Sequence, residues 1–146
     1  MIESDTIKLL RECDAGVKMG VSSLGDVLDY VRAAELKQLL KDSRSEHKAL
    51  GEDIQALLDR YQDEGKEPPA LASAMSEVMT RLKLTLFPHE SDATVADILT
   101  DGCNMGIKSL SRYLNQYPAA DEASKGIAMR LIRLEEALSA GMRTYL

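Results

Sequence analysis

The apolar positions fall into four long stripes with helical spacing. The first runs Ile7, Leu10, Cys13, Val17, Val21, Leu24, Leu28 and Val31, in steps of three and four residues. Such steps keep side chains on one face of an α-helix. They predict a first helix over 5–31, with Asp5 or Thr6 able to cap its start. The second stripe is Leu36, Leu40, Ser43, His47, Leu50, Ile54, Leu57 and Tyr61, with steps of four and three in strict alternation, a heptad pattern. It predicts a second helix over 33–64, closed by Gly65 and by Pro68-Pro69, which cannot continue it.

A third stripe, Val95, Leu99, Cys103, Ile107, Leu110 and Leu114, predicts a helix over 92–116, capped by Ser91 or Asp92. Tyr117-Pro118 interrupts the pattern. Ile127, Leu131, Leu134, Leu138 and Met142 then predict a fourth helix over 120–145. Between the second and third, Leu71, Met75, Val78 and Leu82 predict a shorter helix over 69–86, broken at Phe87-Pro88-His89-Glu90. A short link makes the first two helices antiparallel neighbours, whereas a long connector lets the second and third run parallel. The expected fold is all-α, with residues 1–146 as a single domain. It is an antiparallel four-helix bundle of two αα-hairpins, joined by a long crossover that contains an additional short helix.

Composition narrows the function classes. With 18 basic and 24 acidic residues the net charge is −6, which disfavours a general nucleic-acid binder and an anionic membrane surface. No stretch approaches the roughly 20 apolar residues of a membrane-spanning helix. The start, Met1-Ile2-Glu3-Ser4-Asp5, lacks the basic region and apolar run of a signal peptide. Two cysteines are too few for a disulfide framework. A cytoplasmic location is expected. With one Phe, five Tyr and no Trp, the core must be filled by Leu, Ala and Met.

The first and third helices share a pattern. Cys13-Asp14-Ala15-Gly16-Val17-Lys18 matches Cys103-Asn104-Met105-Gly106-Ile107-Lys108, with Leu9/Leu99 and Leu24/Leu114 in the same register. This suggests two similar hairpins related by a pseudo-twofold axis. Each interior helical glycine costs up to about 1 kcal/mol relative to Ala. Gly16, Gly20, Gly102 and Gly106 are therefore expected to serve close helix approach, or else to leave room for a ligand.

The two hairpins, the crossover and the Cys-x-x-Gly-[Val/Ile]-Lys segments resemble the ferritin-like superfamily, and in it an uncharacterised bacterial group of unknown function. In its di-iron members the first and third helices each supply a Glu, and the second and fourth each supply Glu-x-x-His. Residues at i and i+3 share a helix face, so both can reach one buried dinuclear centre. Here the resemblance places Val17 and Ile107 at the first- and third-helix ligand positions, where neither can bind metal. The second-helix motif reads Arg44-Ser45-Glu46-His47, with Arg in place of Glu. The fourth reads Glu135-Glu136-Ala137-Leu138, with Leu in place of His. His47 and Glu135 remain as remnants, while Val17, Arg44, Ile107 and Leu138 are substituted. A guanidinium at a ligand position repels a divalent cation. The di-iron centre is therefore expected to be lost, with no metal and no cofactor, and an Arg44–Glu135 pair is expected across the core in its place.

Each marked residue also has a plainer reading. His47 is a metal or haem ligand, or a core histidine hydrogen-bonded to Ser43. Cys13 and Cys103 are small buried hydrophobes or reactive thiols, which would need a cationic, partly exposed setting. Glu46, Glu52, Asp53 and Glu136 are solvated or paired one turn away. The methionines are adaptable core filler, and His89 is an exposed loop residue. Met79, Leu84, Leu86 and Phe87 lie off the connector's main stripe and suggest a cap on the bundle or a dimer interface. The expected function is a non-enzymatic homo-oligomer (a dimer) or a module that binds another protein. The alternative is a metalloprotein or oxidoreductase with a reduced site around His47 and Glu135. A haem bound through His47 and a Met is a third possibility. No Gly-rich phosphate loop, Cys-x-x-Cys pair or Ser-His-Asp arrangement is visible.

Overall fold

A computed structural model describes residues 4–68, 80 and 91–146 of the protein. The described residues form four long helices and no strand: α1 (Ser4–Val27), α2 (Ala34–Arg60), α3 (Ser91–Gln116) and α4 (Glu122–Met142). Short 3₁₀ turns, Leu28–Tyr30 and Arg143–Tyr145, follow α1 and α4. Apart from Thr80, the connector helix expected over 69–86 lies outside the described residues, as do Met79, Leu84, Leu86, Phe87 and His89. None of the described helices is long and apolar enough to cross a membrane.

Side-chain hydrogen bonds at the two ends define the helix directions. At one end Asp5 accepts from the Ala119 amide at 3.0 Å and Thr6 from the Asp121 amide at 2.8 Å. The Tyr61 hydroxyl, just past α2, donates to Asp121 at 3.2 Å. The start of α1, the end of α2 and the α3–α4 turn therefore meet. At the other end both oxygens of Asp92 accept amides of the α1–α2 link, Arg32 at 2.7 Å and Ala33 at 2.9 Å. So α1 and α4 run one way, and α2 and α3 the other. The closest packing is α1 on α2 and α3 on α4, with α4 also lying against α1 and α2.

Several expected boundaries move, each for a local reason. The first helix stops at Val27 and tightens into a 3₁₀ turn before Val31 becomes extended. The second ends at Arg60 rather than at 64, because Gln62 already takes a left-handed φ of 56°. Gly65 (φ 82°) is therefore not the helix stop but a later turn residue. Asp5 and Thr6 do not cap their own helix, since their oxygens are taken by the α3–α4 turn. Asp92 likewise serves the start of α2. The fourth helix begins after Asp121, whose carboxylate accepts the Ser124 amide at 2.8 Å as an N-cap.

The core divides in two along the bundle axis. Leu9, Leu10, Cys13, Val17, Leu50, Ile54, Leu58, Leu110, Ile127 and Leu131 form one cluster. Leu24, Val27, Leu36, Leu40, Val95, Leu99, Cys103, Leu138 and Met142 form the other. The stripes marked most of these side chains, but not Leu9, Val27 and Leu58, nor the buried Ile132. The methionines divide: Met142 is fully buried, whereas Met105 is 69 % and Met129 38 % exposed.

Candidate functional site

At the junction of the two apolar clusters lies a polar layer centred on His47. Its place on the α2 stripe carries it inward, and only 1 % of its surface remains exposed. Its Nδ1 lies 2.7 Å from the Ser43 carbonyl oxygen one turn back, and 3.4 Å from the Ser43 hydroxyl. Its Nε2 lies 3.1 Å from Oε1 of Glu135 on α4. A carbonyl can only accept, so Nδ1 carries a proton. The Nε2–Glu135 contact then needs a second proton between two groups that would otherwise both be acceptors.

The electrostatics agree. Burial pulls the imidazole down, but the Glu135 hydrogen bond, the Ser43 carbonyl and the fields of Glu135 and Glu46 outweigh it. The net pKa lies above the ordinary 6.5. The Cys103 thiol, on α3, shares the layer. Burial first, and then the Glu135 carboxylate with which it hydrogen-bonds, push it far above the ordinary thiol range. Cys13 is pushed up to about 12 by burial and by Glu12 and Asp14. Both cysteines are free and buried, and both are protonated at neutral pH, which makes them poor nucleophiles and poor metal ligands.

The layer brings together His47 and Glu135, the two positions that the resemblance alone marks as remnants, but it does not form the expected Arg44–Glu135 pair. Glu135 is held by His47 and Cys103. The Arg44 guanidinium lies instead against Gly25, and its Nε is buried without a hydrogen-bond partner among the described residues. Val17 and Ile107 both pack with one apolar cluster and Leu138 with the other, so they flank the layer rather than surround His47 in a ring. On α1 the residue that meets the imidazole is Gly20, one turn beyond Val17. A Cβ there would sit 2.9 Å from His47 Cδ2. On α3 it is Gly106 that faces the Glu135 carboxyl, at ordinary contact distance. Gly20 thus makes room for a side chain rather than a ligand. Gly102 faces open space and serves no helix approach within the described residues.

These residues do not fit a dinuclear metal centre. Among the described residues no three His, Cys, Asp or Glu side chains converge as a metal ion would need. Both nitrogens of His47 are engaged, which also leaves none for a haem iron. Glycines stand where α1 and α3 would have to offer carboxylates.

A second polar cluster was not legible in advance. Asp14 is 3 % exposed and accepts from Lys18 Nζ at 2.8 Å and from the Lys66 amide at 2.9 Å. It ties the segment after α2 onto α1. The strap is completed by Arg11 with Asp63, by Lys66 Nζ with Glu12 at 2.6 Å and by Lys18 with Glu67 at 2.7 Å. The available signal was Asp14 beside the α1 stripe with Lys18 four residues on. Asp53 is solvated, as one of its two expected readings has it, and also meets Arg130 of α4 at 3.0 Å, with both side chains more than half exposed.

The pH dependence of folding follows from the His47 shift. A folded-state pKa raised above 6.5 gives stability that is fully present below the unfolded value and is lost as pH rises through the folded one. Urea midpoints of the native protein should therefore fall as pH rises through a window that begins at about pH 6.5. His47→Gln should show a flatter profile over that window. Parallel profiles would show that the His47 proton contributes nothing.

Compared with protein-family models, with curated proteins and with solved structures, the chain matches none.

Proposed function

We propose that this chain is a metal-free bundle of ferritin-like type that acts without catalysis, as a homo-oligomeric (dimeric) or partner-binding module. The observation that carries the reading is the saturation of the central layer. His47 and Glu135, the two remnant ligand positions, spend their donors and acceptors on each other, on Ser43 and on Cys103. Val17, Ile107 and Leu138 add apolar contacts beside them, and Arg44 brings a positive charge one turn from His47. A buried polar pair of this kind favours one register of packing over alternatives more than it adds stability, a role suited to a scaffold.

The competing reading is a reduced metal site at His47 and Glu135, and the 3.1 Å approach of these two groups speaks for it. A metal there would have to displace the shared proton and recruit at least one further donor. Metal analysis of protein purified with iron present, combined with mass measurement by light scattering, tests both. The expected result is no stoichiometric metal and twice the 16.1 kDa chain mass. Stoichiometric iron or manganese would overturn the metal-free reading, and a monomer that captures no partner would overturn the assembly role.

A further inference from the structure

At the end of the bundle where α1 begins, an open depression of about 310 Å³ is lined by Lys8, Arg11, Glu12, Gly65, Lys66 and Tyr117. Three cationic side chains and one carboxylate thus face one concavity, on a chain whose net charge is −6. Lys8 makes no ion pair or hydrogen bond with any described residue. Arg11 gives Nε and Nη2 to Asp63, which lies outside the lining, and its Nη1 donates to no described residue. Lys66 gives one Nζ donor to Glu12 and has two more. The Tyr117 hydroxyl makes no hydrogen bond with a described residue, and its ring stacks on Tyr113 with centroids 6.3 Å apart.

The cations are held in place by the fold. Lys8 and Arg11 are three apart on α1 and share a face. Lys66 comes from the strap, whose backbone is anchored by the buried Asp14 carboxylate at 2.9 Å. The turn that delivers it depends on Gly65, where the φ of 82° is left-handed and an added Cβ would overlap the Asp14 carboxylate. The cations of the existing ion pairs around the rim are nearly half exposed, 47 % for Arg11 and 45 % for Lys66, and pairs open to solvent contribute little to stability. An incoming dianion can therefore share Lys66 and the open edge of Arg11 while taking up Lys8.

We propose that this depression binds a small doubly charged phosphate, either inorganic phosphate or the phosphate of a small ester, through Lys8, Arg11, Lys66 and the Tyr117 hydroxyl. Arg supplies planar donors and Lys a mobile point charge, the two complementary ways of meeting a tetrahedral oxyanion. The site lies at the end of the bundle, away from the central layer, and goes beyond the assembly role.

Amide chemical shifts of the full chain, followed while inorganic phosphate or glycerol phosphate is added, test the assignment. Sodium chloride at matched ionic strength serves as control. Saturable shifts at residues 8, 11, 66 and 117 are expected with phosphate and not with chloride. Lys8→Ala, an exposed change that leaves the fold intact, should weaken the apparent affinity about fivefold. Saturation by both ligands assigns the site to the phosphate group, and saturation by the ester alone assigns it to esters. Shifts that only track ionic strength, or an affinity unchanged in Lys8→Ala, would overturn the proposal.

Discussion

Replacing Glu135 with alanine is expected to lower the unfolding free energy by about 3 kcal/mol, near the lower end for breaking a buried pair. The loss has two sources. His47 is left 1 % exposed with Nε2 facing no partner, and an unsatisfied buried polar group costs about 1–3 kcal/mol. The missing side chain also opens a void beside Cys103 and Gly106. The magnitude stays at the low end because 13 % of the Glu135 side chain reaches solvent. The partner experiment is the double replacement His47→Leu with Glu135→Met. It removes both charges and keeps most of the volume, so it should restore most of the loss. Urea denaturation of the wild type, His47→Leu, Glu135→Met and the double variant gives the coupling directly. A Glu135→Ala loss below about 0.5 kcal/mol, the range of ordinary surface substitutions, would show that the pair is not a structural element.

The second large effect separates two adjacent leucines. Leu58→Ala should cost about 3 kcal/mol and Leu57→Ala about 1 kcal/mol, following the volume each leaves unfilled. Leu57 continues the heptad of α2 and is the side chain that periodicity places inward, yet it is only partly buried. Leu58 is wholly buried in the cluster with Leu10, Ile54 and Leu131. The cause is the end of the helix. The Asp63 amide turns back to the Leu58 carbonyl at 2.9 Å, and the strap then covers that side of α2 and closes over Leu58. Thermal or urea melts of the two variants check the order. Equal losses would mean that the strap does not seal the core there.

Much of the architecture could be read from spacing alone. The steps of three and four along Leu36, Leu40, Ser43, His47, Leu50 and Ile54 identify a buried face, and all six side chains are buried. Such periodicity is legible because one rotation rule, about 100° per residue, applies along the whole helix. The break at Pro118 was equally plain, since proline cannot donate to a helix ladder. The layer was half legible. His47 lies on a stripe and Glu135 on a motif, but their pairing needed the relative rotation of α2 and α4. A resemblance-based register put Val17 where the structure puts Gly20. That is a shift of one turn, which periodicity cannot detect because both positions lie close to the same helix face.

What the sequence by itself determined about this protein is its helices and their inward faces, because these depend on local spacing. What only the tertiary structure decided is who meets whom: His47 with Glu135 instead of Arg44 with Glu135, Asp92 with the α1–α2 link, and Asp14 with the strap. Those contacts join residues 50 or more positions apart. They depend on how whole helices rotate and slide against one another, and that is set by the packing of both apolar clusters together rather than by any one segment.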